Sequence, residues 1–192
     1  MKDKVLEFLN SVGRMRPPLY HHLHAILTPR HYKKGAVILA RGAICGEIFF
    51  LSSGMVVGLK WQKGKEVTTW IMREGDVVTS PESFFDQTAS TERIIAVEDC
   101  TGWGITWAEL EDTYEQYPEF NRHGRILTQG YYVRNLKHAD FIKTYRGKEK
   151  YKIFLETNPE VVARCPQKYL ASYLNVNPTT LSTLRSGFKK RR

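Results

Sequence analysis

The sequence predicts an α+β chain: a β-sandwich or jelly-roll body led by helices, then a long helix, then a small helical unit at the end. Three observations predict it. Short β-branched and aromatic runs between residues 31 and 78 are punctuated by Gly35, Gly42, Gly46, Gly54, Gly64 and Gly75 at turn-like intervals. Apolar residues return to helical spacing from Trp107 onward. The formal net charge of +9 is also localised: residues 1–141 hold 17 Lys and Arg against 17 Asp and Glu, and residues 142–192 hold 12 against 3. A neutral body joined to a basic tail unit points to a polyanionic partner, nucleic acid or a membrane surface.

The first 25 residues read as two helices, with Val5, Leu6, Phe8 and Leu9 in one and Leu19, Leu23, Ile26 and Leu27 in the other, separated at Pro17-Pro18. The strand pattern begins after Pro29 and resumes in "RIIAVEDCTGWGIT", whose continuous apolar segment is Ile94 to Val97. Pro118 suits the first turn of a helix reaching about residue 143. The apolar residues of that helix occupy more than one face, which calls for two packing partners, its own body and a second copy of the chain; the alternative is a helix packed wholly within one chain. Phe120, Leu127 and Tyr131 are the expected dimer contacts, with Gly124 and Gly130 permitting close approach, although Arg134 and His138 interrupt the heptad pattern. Gly147 marks a boundary. The expected units are therefore 1–117, 118–144 and 145–192.

Near the end, "CPQKYLASYLNVNPTTLSTLR" reads as a helix-turn-helix. Leu170, Ala171 and Leu174 line one short helix; Asn175 tolerates the left-handed turn; Val176 plugs it; Asn177 caps a second helix opened by Pro178. Leu181, Leu184 and Phe188 form the buried face of that helix, leaving Thr179, Thr180, Ser182, Thr183 and Ser186 outward, with Arg185 toward its end. An exposed polar helix with basic neighbours is what major-groove docking needs. The expected DNA-facing residues are Asn177, Thr179, Thr180, Ser182, Thr183 and Arg185. Gln167, Lys168, Lys189 and Lys190 are expected at phosphates.

Other chemistry is sparse. Cys45, Cys100 and Cys165 are odd in number, far apart and outside any metal-ligand spacing, which predicts reduced, buried thiols. His21 and His24 share a helical face without a third ligand nearby, so no metal is expected. No nucleophile elbow, Walker loop or zinc-protease motif occurs, and a non-enzyme is expected. No stretch of 18 apolar residues and no signal-peptide pattern appears, which predicts a cytoplasmic protein with no membrane span.

The segments "KKGAVILARG", "GEIFFLSSGMV", "EGDVV" and "QKYLASYLNVNPTTLSTLR", in this order, resemble motifs of the CRP/FNR superfamily of bacterial transcription regulators, and the resemblance covers nearly the whole chain. It implies a double-stranded β-helix (jelly-roll) sensor, a dimerising helix and a DNA-binding domain of winged-helix type. The implied partners are double-stranded DNA, a second copy and RNA polymerase, with a small-molecule effector. Three departures matter. Only Ser186 to Arg192 follow the second helix, so the wing is expected to be missing or replaced by basic residues. Pro178, Thr179 and Thr183 stand where guanine-reading members place Arg and Glu. In the segment "SPESFFDQTASTERIIAVED", which corresponds to the family's phosphate-binding cassette, Pro81 replaces a Gly amide donor, and Glu92 falls where the phosphate-binding Arg belongs. Arg93 follows one place later, and only a β-bulge would return it to the pocket.

The expected effector pocket is Glu82, Ser83, Ser90, Thr91 and Arg93, suited to a neutral or cationic molecule and not to cyclic AMP. The alternatives are a ligand-binding module whose degenerate terminal unit makes protein contacts in place of DNA contacts, and a basic tail that docks on anionic membrane.

Overall fold

The structure is a computed structural model that describes residues 2–189, with side chains as far as Ser186. Lys189 and Lys190, nominated for phosphate contacts, and Phe188, nominated for the buried face, have side chains outside the described residues.

Two helices open the chain: α1 (Lys2–Val12) and α2 (Pro17–Ile26). Pro17 begins α2, where its missing N–H costs nothing. Leu6, Leu9, Leu19 and Leu23 are buried and seal one end of the β body.

That body has eight strands: β1 (Thr28–Tyr32), β2 (Val37–Leu39), β3 (Glu47–Ser53), β4 (Met55–Gln62), β5 (Lys65–Arg73), β6 (Val77–Val78), β7 (Glu92–Ala96) and β8 (Cys100–Thr106). They form two antiparallel sheets of order β1-β8-β3-β6 and β2-β7-β4-β5, the two layers of the expected jelly roll. Strand structure starts before the sequence suggested it, at Thr28, and runs through Pro29. A sheet edge accommodates a proline there, because β1 pairs on one side only. The β4–β5 hairpin closes through Lys63 and Gly64, both with positive φ, the two-residue turn that matches strand twist.

β8 leads into α4 (Trp107–Gln116), which begins with a capping box: Thr106 Oγ1 accepts from the Glu109 amide, and the Glu109 carboxylate accepts from the Thr106 amide. The long helix α5 spans Phe120–Thr144. It starts two residues beyond Pro118, which sits in the preceding turn and accepts from the Asn121 amide at 3.2 Å.

The C-terminal helices are α6 (Gly147–Thr157), α7 (Pro159–Arg164), α8 (Gln167–Tyr173) and α9 (Pro178–Lys189). They share one apolar core with the outer face of the second sheet. Met55, Val57 and Leu59 of β4, and Ile95 with the following Val97, pack against Tyr151, Phe154, Leu170 and Leu174. The alternate residues Val56, Ile94 and Ala96 point into the β body. This explains the unbroken apolar run from Ile94 to Val97: a strand with helices on one face and a β-roll interior on the other needs apolar residues at every position.

Polar contacts reinforce the junction. Arg164 forks across two carboxylates, donating to Glu74 at 2.7 and 2.9 Å and to Glu98 at 3.0 Å through Nε, with a further contact from Nη2. Ser172 Oγ accepts from the Thr68 amide at 2.9 Å, and Arg73 pairs with Glu160 at 2.6 Å. The Arg164 guanidinium holds the Glu74 carboxyl down at about 2, well below its ordinary value. A carboxyl depressed in the folded state adds stability that is complete above its unfolded value and fades as pH falls toward the folded one. Between about pH 4.5 and pH 2 the native chain should therefore lose thermal stability that Glu74→Gln lacks at every pH. Melting curves at pH 7 and pH 3 check this: equal pH sensitivity of parent and variant refutes the assignment.

Candidate functional site

Two regions carry functional geometry: the turn between α8 and α9, and a cavity inside the β body.

The α8–α9 turn follows from its sequence. Asn175 adopts φ 50°, and the Val176 amide donates to the Ala171 carbonyl at 2.9 Å. Asn177 Oδ1 accepts from the Thr179 amide at 2.9 Å and caps α9. Ala171 and Leu181 are fully buried where the helices cross. Thr179, Thr180, Ser182, Thr183 and Ser186 are exposed along α9. Asn177 and Lys168 are also exposed, the Lys168 ammonium lying 4.6 Å from the Tyr169 ring.

Two nominated residues are committed elsewhere. Gln167 Nε2 donates to the Pro178 carbonyl at 2.8 Å, stapling the start of α8 to the start of α9. Arg185 donates to the Val162 carbonyl of α7 and is half-buried, so it does not point outward. Position 185 is one helical turn from Leu181 and shares its buried side, which places it off the outward face.

The nominated dimer residues also pack within the chain. Phe120 is buried against Tyr114 and His123, with ring centroids at 5.5 and 5.1 Å. Leu127 packs on the β body. Tyr131 Oη accepts from the Val77 amide at 2.6 Å, and burial pushes its phenol up to about 12. Gly124 makes room for Tyr114 of the same chain: a Cβ there would sit 2.2 Å from the Tyr114 hydroxyl. A two-faced helix does not say which stripe meets its own body, and the body took this one. The outward apolar residues are Tyr132, Val133 and Leu136, at 64%, 46% and 49% exposure, beside Gly130, which has open space. The apparent heptad breaks are intramolecular ties. Arg134 pairs with Asp76 at 2.7 Å, and His138 stacks on Tyr173 of α8 at 4.1 Å.

A cavity of about 610 Å³ lies between the inner sheet faces, α5 and the short helix α3 (Pro81–Asp86). Glu82 lines it, accepting from Lys60 Nζ and Thr91 Oγ1, each at 3.3 Å, and Thr91 is exposed. Ser83 and Ser90 are buried and spent on structure. Ser83 Oγ accepts from the Cys45 amide at 2.9 Å and donates to the Thr88 carbonyl at 2.5 Å; Ser90 Oγ donates to the Glu92 carbonyl at 2.9 Å.

Arg93 is absent from the lining. β7 pairs with β4 in continuous register, Leu59 opposite Arg93 and Lys60 opposite Glu92, so no bulge intervenes. Arg93 points to the other face and pairs with Glu66 at 2.7 Å. Glu92 faces the cavity, 3% exposed, accepting from Trp70 Nε1 at 3.0 Å. Trp70 and Lys60 are lining residues that the sequence reading missed. The signal was available in Gly58, whose missing side chain admits the Trp70 indole: a Cβ there would lie 2.1 Å from Trp70 Cε2.

These residues do not fit a cyclic phosphate. Pro81 supplies no amide at the start of α3, a carboxylate stands at the cation's place, and Lys60 is already held by Glu82. The three cysteines are buried free thiols, as expected. Among the described residues no helix is long and apolar enough to cross a membrane.

Residues 29–117 match the cyclic nucleotide-binding domain family. No match is found among curated protein sequences. Solved structures share the fold at low identity. FixK2 from Bradyrhizobium japonicum aligns with a TM-score of 0.74 at 16% identity, over 86% of each chain. A crp/fnr-family transcriptional regulator from Eubacterium rectale aligns at 0.72 and 14%, over 92% of this chain and 85% of that one. The c-di-GMP-responsive global regulator CLP of Xanthomonas campestris aligns at 0.69 and 12%, over 92% and 93%. The β body thus matches the cyclic nucleotide-binding domain family, in a chain that shares, over nearly its whole length, the fold of a CRP/FNR-family regulator.

Proposed function

We propose that this chain is a homodimeric transcription regulator that docks α9 in the major groove of double-stranded DNA and takes a small-molecule effector, other than a cyclic nucleotide, in the β-body cavity. The observation that carries the reading is the two-sidedness of α9: Leu181 is sealed against the domain while Thr179, Thr180, Ser182 and Thr183 stand clear. The confinement of net positive charge to residues 142–192 supports it. Hydroxyls and threonine methyls read base edges and thymine methyls without the bidentate guanine contact of an arginine, so sequence discrimination is modest at each position. Lys168 is placed for a phosphate. The second sheet offers the route from effector to DNA. Glu92 and Trp70 of β7 and β5 line the cavity on its inner face, and Ile71 and Ile95 of the same strands hold the C-terminal helices on its outer face.

The test is duplex DNA association of the full chain across a salt series. Binding should weaken steeply and linearly on logarithmic axes, by roughly 10³-fold or more between 50 and 200 mM salt if about six phosphates are neutralised. Thr179→Ala should reduce discrimination between sites, and Lys168→Ala should weaken all sites alike. Absence of salt-dependent association at low ionic strength would defeat the regulator reading.

A further inference from the structure

Resting on the reading of the cavity as an effector site, we propose that its ligand is an organic ammonium on an apolar frame, an arylalkyl- or alkylamine, with Glu92 and the Trp70 indole as the ammonium site. Glu92 is 3% exposed and lines the cavity. One carboxylate oxygen accepts from Trp70 Nε1 at 3.0 Å; the other has no hydrogen-bond partner among the described residues. No cation in the described residues pairs with it. Lys60, directly across the strand pair, reaches Glu82 instead, and Arg93 turns away to Glu66. A ligand ammonium seated against that free oxygen would supply the counter-charge that no neighbouring side chain provides.

The surroundings suit such a ligand. Trp70 lies against Gly58, where no side chain could be added without moving it, and its Nε1–H holds one Glu92 oxygen, so the indole orients the carboxylate in the cavity wall. Phe50, Met72 and Leu127 supply apolar wall, and about 610 Å³ matches a small organic molecule. An anionic ligand meets the opposite situation, because its charge would face Glu92 while the one lining lysine is already paired.

Titration calorimetry on the full chain at pH 7 tests this with phenethylamine and 4-phenylbutylamine against 3-phenylpropionate and cyclic AMP. The amines should bind at least about tenfold more tightly than either anion. Glu92→Gln keeps an acceptor for Trp70 Nε1 and should weaken amine binding by about tenfold or more, whereas Lys60→Met removes the competing cation of the cavity wall and should tighten it. Melting curves with and without 4-phenylbutylamine confirm that each variant folds and report the same loss of ligand-induced stabilisation. Tighter binding of 3-phenylpropionate, amine binding lost in Lys60→Met but kept in Glu92→Gln, or no amine binding at millimolar concentration each overturns the proposal. DNA association of the same preparation reports separately on the regulator reading: if it persists while the amines fail, the amine proposal falls and the DNA-binding reading stands.

Discussion

A chain carrying Val133→Glu and Leu136→Glu is expected to sediment as a monomer and to bind duplex DNA about 10²- to 10⁴-fold more weakly than the parent, the range spanned by losing the second arm of a bivalent contact. These residues lie on the outward stripe of α5, 46% and 49% exposed, next to the open Gly130. A two-fold interface would bring each carboxylate against its copy, out of water and unpaired. The substitutions should leave the monomer fold intact, since neither side chain belongs to a buried core cluster. Leu127→Glu and Tyr131→Glu would instead damage the chain's own packing and could not separate dimerisation from folding. Sedimentation and a DNA titration decide the matter together. Monomers with parental affinity would show that α9 binds one half-site at a time, and unchanged dimers would move the interface off α5.

Arg164→Ala should produce the largest loss of stability of any polar substitution at the junction of the β body and the C-terminal helices. Removing the guanidinium leaves Glu74 and Glu98 facing one site without a counter-charge. Breaking a fully buried pair costs about 3–5 kcal/mol, but these side chains are 27–35% exposed, and solvent screening brings the expectation down to roughly 1–3 kcal/mol. That corresponds to a fall in Tm of roughly 2–12 °C for a chain of this size. Arg164→Lys should restore only part of it, because an ammonium cannot reproduce a fork across two carboxylates. Loosening should also raise proteolytic cleavage between α5 and α6, where Tyr145 and Arg146 link the helices. Parental Tm and cleavage rate would mean that the apolar contacts hold the junction without the ion pairs.

The helix-turn-helix was legible residue by residue because its constraints are local. The left-handed Asn175, the capping Asn177 and the crossing Ala171 each follow from what one backbone position can adopt or admit. The jelly roll was legible for the same reason, from glycine-marked turns and strand runs, and the strand pair Glu92-Arg93 was legible because side chains alternate faces with a strict period of two. Where a residue faces two candidate partners, local rules stop. Leu127 and Tyr131 were apolar and helical whichever partner they met, and Arg185 was a basic residue on the exposed polar helix until the Val162 carbonyl of α7 accepted its hydrogen bond.

By itself the sequence determined the element types, the turn chemistry, the location of the charge and the presence of Pro81 and Glu92 in the segment around α3 and β7. Only the tertiary structure decided which stripe of α5 the body consumed, that the second sheet is buried on both faces, and that Glu92 meets Trp70 over Gly58 while Lys60 pairs with Glu82 instead. Those are contacts between residues far apart in the chain. Backbone propensity and side-chain period act over a few residues and cannot choose among distant partners of equal chemistry; packing makes that choice.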